Sequence, residues 1–265
     1  MNVRLDSRAN LEKAMPWIVI IGLLLAWQLI VTGFGIKPFI LPAPSVVFEE
    51  FLNHRGPIMH NALFTLTNAL IGFALGIVVG LALGIAIGSS RLAYKGLYPL
   101  LIGINSVPKA AVVPILVVWL GIGQPPAIAT AFLLCFFPIA VNVATGLSTV
   151  EPELQDVLRS LGASKLDILR KVGLPRSMPY FFASLKVAIT LAFVGAVISE
   201  TLASDDGIGY MMLQASSQFR VPLMFAGLFV IAAMGIATYI GFALLEGRVT
   251  GWATRGQQNS MEGGG

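Results

Sequence analysis

The sequence predicts an all-α integral membrane protein with six transmembrane helices. Of its 265 residues, 56% are hydrophobic and only 11% are charged, whereas a soluble domain has about 25% charged residues. The mean hydropathy of +0.84 argues against an ordinary soluble globule. It also argues against a disordered chain, which would be polar. Finally, six apolar stretches are long enough for a bilayer of about 30 Å, which requires about 20 helical residues.

Continuous apolar character identifies the six stretches as helices, because the strands of a membrane barrel alternate over about 10 residues. The first stretch is too long for a signal peptide and no small-residue cleavage site follows it, so we predict that it is retained. The predicted spans are 16–36, 63–88, 97–120, 126–147, 179–203 and 222–246.

The predicted organisation has three parts. A cytoplasmic N-terminal segment covers residues 1–15, the six-helix transmembrane domain covers 16–250, and a flexible polar tail covers 251–265. If both termini are inside, twelve of the 17 basic residues fall in inner segments and three in outer segments. Inner loops are enriched in Lys and Arg, so we predict cytoplasmic termini. The formal net charge of +4 then reflects membrane topology, and no nucleic-acid partner is predicted.

Two apolar patterns predict how parts of the chain pack. The outer segment 37–62 contains Leu41-Pro42-Ala43-Pro44 and then apolar residues at helical spacing, which favours a short amphipathic helix at the outer interface. The second span contains a glycine at every fourth position, and such a stripe allows close approach of another helix. Packing inside the bundle is the favoured interpretation, and a sliding contact is the alternative. The stripe consists of Gly72, Gly76, Gly80, Gly84 and Gly88.

The third span is interrupted at Asn105-Ser106-Val107-Pro108-Lys109. Proline removes a backbone hydrogen bond and frees a carbonyl that needs another donor. A lysine at mid-membrane costs at least about 2.5–3.5 kcal/mol unless it meets water or a counter-charge, so we expect Lys109 to face the protein interior or a wet cavity. A structural pair with Glu200 is the alternative. Lys186 lies near the inner end of span five, where its stem is expected to extend towards the interface.

The inner segment 148–178 is the longest and most charged loop. Its pattern predicts a short helix, a turn at Gly162, a second basic amphipathic helix, and the start of span five near Pro175. Apolar residues in both helices would form faces that water does not favour. Docking of a partner protein is therefore predicted, with a helix lying on the membrane surface as the alternative.

Motifs typical of enzymes are missing. None of the seven lysines follows a glycine, so the sequence has no Walker A Gly-Lys pair for ATP. His54 and His60 have no nearby cysteine or third ligand. The single cysteine, Cys135, lies in an apolar run and is expected to be a small buried hydrophobe. We therefore predict no catalytic residue, cofactor or metal site in this chain.

The inner loop resembles the signature of permease subunits from binding-protein-dependent ABC importers. That signature reads E-A-A, three residues, Gly, nine residues, Ile-x-Leu-Pro. Gly162, Leu174 and Pro175 match it at the same spacing, and Val172 replaces Ile. The E-A-A triplet differs and reads Asp156-Val157-Leu158, which keeps the carboxylate but replaces both alanines with bulkier residues.

Further motifs are similar to the nitrate/sulfonate/taurine branch of these permeases. The resemblance covers nearly all of residues 16–246 and is specific for the family, not for the solute. The motifs are Leu41-Pro42-Ala43-Pro44, Val107-Pro108 with Pro114, Trp119-Leu120-Gly121-Ile122-Gly123, Phe136-Phe137-Pro138-Ile139, Ser160-Leu161-Gly162-Ala163-Ser164, Gly195-Ala196-Val197-Ile198-Ser199-Glu200 and Gly207-Ile208-Gly209-Tyr210.

The resemblance implies a type I ABC importer permease fold in the bacterial inner membrane, with a cytoplasmic coupling helix between spans four and five. It implies a homodimer, separate ATPase subunits that bind ATP and Mg, and a periplasmic binding protein that delivers a small anionic solute such as a sulfonate, taurine or nitrate. The implied ATPase-coupling residues are Asp156, Arg159, Ser160, Leu161, Gly162, Ala163, Leu174 and Pro175. The candidate translocation-pathway residues are Asn105, Pro108, Lys109, Asn142 and Glu200.

A second function remains open at this point. An ion-coupled secondary transporter would need titratable residues or broken helices along a central path. Lys109 and Glu200 are compatible with such a path. An intramembrane enzyme is not favoured, because the sequence has no nucleophile–base or metal-binding constellation.

Overall fold

The computed structural model describes the backbone of residues 3–249, whose regular elements are all helices, and the side chains of residues 14–151 and 153–249. Residues 3–249 form two compact units, one of residues 3–59 and 211–229 and the other of residues 60–210 and 230–249. The helices are α1 (Val3–Gly33), α2 (Pro44–Asn53), α3 (Arg55–Gly88), α4 (Arg91–Asn105), a 3-10 helix (Lys109–Val112), α5 (Val113–Leu120), α6 (Gln124–Ser148), α7 (Pro152–Ser160), α8 (Lys165–Ile168), a π-helical turn (Leu169–Gly173), α9 (Leu174–Ala203), α10 (Ile208–Ser217) and α11 (Val221–Val249).

The predicted membrane architecture is confirmed. Five helices are long and apolar enough to cross a bilayer, and a sixth span results if α4 and the segment Lys109–Leu120 are counted as one. Those two segments are bent by 75° at the break, where the sequence predicts an interruption. The tail predicted over 251–265, and the final residue of the predicted 16–250 domain, lie outside the described residues.

Several helices extend beyond the predicted spans. α3 begins at Arg55, so residues 55–62 are helical and do not form a loop as predicted. α4 begins at Arg91 instead of residue 97, because the Ser90 hydroxyl accepts a hydrogen bond from the Ala93 amide at 3.5 Å and caps the helix. α1 ends at Gly33, three residues before the predicted end, and Gly35 then turns the chain with a φ of +59°.

One helix between spans five and six is not predicted from the sequence. α10 follows Gly207, whose φ of +104° allows a sharp turn. Its buried residues Ile208, Met211 and Ala215 recur every three or four positions. With 10 residues, the periodic segment is too short to be recognised between two much longer apolar runs.

The helix predicted near the outer interface is present as α2 and belongs to the first unit. Its amide at Ser45 donates to Gln28 Oε1 of α1 at 3.1 Å. The guanidinium of Arg220 donates to Glu50 Oε1 at 2.6 Å, and the same nitrogen lies 2.9 Å from His54 Nε2. α2 is thus joined by side-chain contacts to both of the chain segments that form this unit.

The core of the second unit is built around α6. A methyl group added at Gly72, Gly80, Gly84 or Gly88 would lie 2.6–2.8 Å from the nearest α6 atom. On α9, a methyl group at Gly195 would lie 2.8 Å from Ala131 Cα, also in α6. These distances are too short for any side chain, so α3 and α9 both contact α6 at backbone level. The packing interpretation of the glycine stripe is confirmed.

The second unit also contains an ion pair that the sequence analysis does not predict. Lys186 of α9 donates to Glu246 of α11 at 2.6 Å, and the two side chains are only 22% and 23% exposed. The lysine therefore contacts a carboxylate and does not simply extend to the interface. A half-buried cation is stabilised by such a partner.

Candidate functional site

A tight turn after α7 shapes the segment predicted to dock a partner. The Ala163 amide donates to the Leu158 carbonyl and the Gly162 amide to the Arg159 carbonyl, both at 2.9 Å. This pair of bonds is a Schellman motif, which requires a left-handed residue after the helix. Gly162 supplies it with a φ of +87°. The predicted glycine turn is therefore present, and its geometry explains why glycine occupies the position.

The chain after the turn begins a new helix at once. The Ser164 hydroxyl accepts from the Asp167 amide at 3.1 Å, and Asp167 accepts from the Ser164 amide at 3.2 Å, forming a capping box. The π-helical turn then leads into α9, with Leu174 and Pro175 as its first residues. Proline has no N–H to donate, and the first turn of a helix tolerates this. The predicted second helix is thus continuous with span five.

We call residues 152–175, which run from α7 to the start of α9, the coupling segment after their predicted role. Its surface combines apolar and charged side chains. Val157, Leu161 and Leu166 are 56%, 77% and 52% exposed. Asp156 and Arg159 form an exposed ion pair at 3.2 Å, one turn of helix apart, and the Ser160 hydroxyl donates back to the Val157 carbonyl. Exposed leucine and valine beside a short-range ion pair form a surface suited to a protein partner.

The break in the third span is stabilised by the lysine that follows it. Pro108 lies at the bend, and the Lys109 ammonium donates to the Asn105 carbonyl and, at 2.7 Å, to Asn105 Oδ1. In an uninterrupted helix the Asn105 carbonyl would accept from the Lys109 amide. The ammonium takes over this role and places a positive charge at the C-terminus of α4, where the helix dipole favours it.

Asn142 lies in α6, one turn after a proline. Its side-chain amide donates to the Pro138 carbonyl at 2.8 Å, so one of its two amide hydrogens is directed along its own helix. The side chain is half-buried. This arrangement stabilises the helix near Pro138 and leaves further hydrogen-bonding capacity on the amide.

Glu200 accepts hydrogen bonds from three different residues in the second unit. Its side chain is fully buried, as are Thr65 and Asn68 of α3. Thr65 donates its hydroxyl to Oε2 at 2.7 Å, Asn68 donates its amide to Oε1 at 3.1 Å, and the Gly209 amide donates to Oε2 at 3.3 Å. Three donors therefore converge on one carboxylate and connect α3, α9 and the start of α10.

The turn that precedes α10 is held against the same network. The Ile208 amide donates to Thr65 Oγ1 at 2.9 Å and the Gly207 amide to Asn61 Oδ1 at 2.7 Å. A methyl group at Gly207 would collide with the Glu200 carboxylate. Gly207 therefore serves two purposes, because its φ is positive and its missing side chain leaves room for the carboxylate.

The coupling candidates lie in one stretch of chain, whereas the pathway candidates are spread over several helices. The eight coupling candidates lie in α7, its terminal turn and the first residues of α9. Asn105, Pro108 and Lys109 form one cluster at the break. Among the side chains described for residues 14–151 and 153–249, neither Lys109 nor Glu200 forms a salt bridge, so the Lys109–Glu200 pair considered as an alternative is absent.

A comparison with protein families identifies the family to which the chain belongs. Residues 72–251 match the family described as the inner membrane component of binding-protein-dependent transport systems. The chain belongs to this family. The predicted resemblance to ABC transporter permeases is thereby confirmed, and the matched region contains the break, α6, the coupling segment and Glu200.

Individual permeases are similar to this chain over most of their length. The riboflavin transport system permease protein RibX of Chloroflexus aurantiacus is 32% identical over 94% of this chain and 96% of its own. The taurine transport system permease protein TauC of Escherichia coli (strain K12) is 29% identical over 87% of this chain and 86% of its own. An inward-facing structure of the MetNI methionine ABC transporter aligns with a TM-score of 0.65 at 19% identity, over 74% of this chain and 98% of that chain. This likeness confirms the type I permease fold.

The permease contains polar residues of structural importance that sequence reasoning missed. Thr65 and Asn68 occupy one face of α3, three positions apart, and are buried against Glu200. Two polar residues in an otherwise apolar span are a sign that they meet a partner, because unpaired polar groups are unfavourable inside a membrane. The partner itself is more than 130 positions away and does not follow from their spacing.

Replacing Glu200 in the permease by glutamine is expected to destabilise the second unit. The carboxylate accepts at both oxygens, whereas an amide would direct its own N–H groups towards one of the existing donors. The expected loss is about 1–3 kcal/mol for a buried unsatisfied group. It is measured as a lower thermal unfolding midpoint of the purified protein in one detergent.

The neighbouring Ser199 provides a matched control for this experiment. It is also fully buried on α9, but its hydroxyl has no hydrogen-bond partner in the described part of the chain. Ser199→Ala should therefore leave the unfolding midpoint unchanged or raise it. If Glu200→Gln is as stable as the unaltered protein, the network does not hold these helices together.

Proposed function

We propose that this permease is the membrane subunit of an ATP-driven importer and forms the translocation pathway for a small anionic solute. Two copies form the pathway, separate ABC ATPase subunits that bind ATP and Mg dock at the coupling segment, and a periplasmic binding protein supplies the solute. The observation that supports this most directly is the coupling segment itself. It exposes Val157 on α7 and Leu161 directly after it, where the helix ends in a Schellman turn at Gly162.

The missing nucleotide-binding motif fits a transporter in which a separate subunit binds and hydrolyses ATP. No lysine follows a glycine in the sequence, so the energy must come from another chain if transport uses ATP. A short helix with exposed apolar side chains is suited to a groove on a partner. Closure of an ATPase pair would then move the two permease copies as rigid bodies between inward-facing and outward-facing states.

The proposed location is the bacterial inner membrane with both termini in the cytoplasm. The distribution of basic residues supports it, because twelve of 17 fall on the side that carries the coupling segment. An ATPase that uses cytoplasmic ATP has to dock on that side. The proposed topology and the proposed partner therefore require the same orientation.

The anionic solute is supported by the break in the third span. Lys109 is a partly exposed cation in an otherwise apolar span, and among the described side chains of residues 14–151 and 153–249 it has no acidic partner. Such a charge lowers the barrier for an anion that passes it. TauC is named for taurine transport and RibX for riboflavin transport, so relatives of similar identity are named for different solutes. Lys109 therefore supports a negatively charged solute more strongly than the names of the relatives do.

Copurification and reconstitution test the proposed function. The chain should copurify with a P-loop ATPase, and vesicles that contain both, with the binding protein, should accumulate solute only when ATP is supplied. The alternative is an ion-coupled secondary transporter. Uptake by the chain alone, driven by a proton or sodium gradient without ATP, would establish that alternative and exclude the importer.

Lys109 offers a test of the solute's charge. Lys109→Gln keeps a donor that can reach the Asn105 carbonyl but removes the positive charge, whereas Lys109→Arg keeps both. We expect uptake to fall about tenfold in the glutamine variant and to be retained in the arginine variant. Tenfold corresponds to about 1.4 kcal/mol, which is less than the roughly 2.5–3.5 kcal/mol cost of one charge at the centre of a membrane helix. Equal uptake in both variants would mean that Lys109 only caps α4.

A further inference from the structure

A cavity of about 710 Å³ lies beside the coupling segment in the second unit. One wall is formed by Ser89, in the turn between α3 and α4, and by Arg91, the first residue of α4. The other wall is formed by α7 and α8. Its apolar lining includes Leu147, Val150 and Ile168, all of them buried. The cavity therefore has a mixed lining, in which buried apolar side chains lie beside polar and charged ones.

The charged residues that line this cavity are unbalanced. They are Arg91, Arg159, Lys165 and Asp156. Asp156 is paired with Arg159 at 3.2 Å, but among the side chains that the structure describes (residues 14–151 and 153–249) no ion pair includes Arg91 or Lys165. Two cations from different segments thus line one cavity without an ion-pair partner among those side chains.

We propose that this cavity binds a phosphate-bearing anion between Arg91 and Lys165. Arg and Lys are the side chains that recognise phosphate, and Arg91 is also the first residue of α4, where the helix dipole favours negative charge. The apolar lining suits a ligand that carries hydrocarbon next to its phosphate. On the topology proposed above the cavity lies at the cytoplasmic leaflet, where anionic phospholipids are concentrated and basic pockets between helices bind their headgroups.

Binding of three ligands to the full chain, two phospholipids and inorganic phosphate, tests the site and identifies the source of the phosphate. The purified, delipidated protein is titrated with phosphatidylglycerol and with phosphatidylcholine, and complexes are counted by native mass spectrometry. A parallel titration uses inorganic phosphate, followed by calorimetry. Arg91→Gln/Lys165→Gln is expected to weaken anion binding about fivefold for each cation removed, and Arg91→Lys/Lys165→Arg is expected to retain it.

Lys95→Gln/Arg170→Gln is the matched control, because it removes the same charge from neighbouring residues that do not line the cavity. Selective binding of phosphatidylglycerol that only the cavity variant loses supports a lipid headgroup. Saturable binding of inorganic phosphate with the same dependence supports a soluble phosphate compound. Equal losses in both double variants, or no loss in either, overturn the proposal. The assay contains no ATPase, so its result is independent of the proposed transport function.

Discussion

Replacing Gly80 by alanine is expected to lower the yield and the thermal stability of the folded protein. A Cβ at this position would lie 2.7 Å from the Phe136 carbonyl oxygen and 2.9 Å from Ile139 Cβ of α6. Neither atom can move alone, because both belong to the backbone or the first side-chain atom of a packed helix. Overpacking of this kind costs about 1–3 kcal/mol and occasionally more. Leucine at the same position should abolish recovery of monodisperse protein.

Gly235 of α11 is the control for Gly80→Ala. It is also helical, and among the described residues an added Cβ there would have no atom within 4 Å outside its chain neighbours and its own helix backbone. Alanine favours helix over glycine by about 1 kcal/mol, so Gly235→Ala should be neutral or stabilising. The comparison uses the recovery from size-exclusion chromatography and the unfolding midpoint in one detergent. Equal behaviour of the two variants would show that α3 and α6 can separate without loss of the fold.

The helices and their close packing are features that local sequence patterns can predict. An apolar run of about 20 residues has few alternatives in a bilayer, and a glycine at every fourth position of α3 indicates one contact face. The bend in the third span follows from Pro108, since proline cannot donate in a helix. The Schellman turn follows from Gly162, which is placed between two amphipathic patterns.

The polar network and the ion pair in the second unit could not be predicted in the same way. Thr65 and Glu200 are 135 positions apart, and Lys186 and Glu246 are 60 apart. A single sequence shows each residue as an isolated polar group, and the partner depends on how the helices pack. The extension of α3 back to Arg55 was also missed, because residues 55–62 are more polar than the span that follows them.

Exchanging the two charges of the coupling segment is expected to abolish coupled transport while leaving the fold intact. In Asp156→Arg/Arg159→Asp the i,i+3 ion pair is retained in reverse, and both side chains are more than half exposed. Exposed pairs contribute about 0–1 kcal/mol, so stability should not change. A partner that binds these charges would instead meet the opposite charge at both positions. Loss of a hydrogen bond to a charged group, about 1.5–3 kcal/mol, predicts at least a tenfold fall in ATP-driven uptake.

The single variants separate a partner contact from a local one. Asp156→Arg and Arg159→Asp each break the ion pair within the helix, and the double variant restores it. If the pair only stabilises α7, the double variant should recover uptake and the singles should not. If a partner contacts the charges, all three variants should lose uptake, and ATP hydrolysis by the assembled complex should no longer respond to solute. Wild-type uptake in the double variant would exclude these two residues from the proposed ATPase interface, whereas loss in all three assigns their exposed charges to the partner.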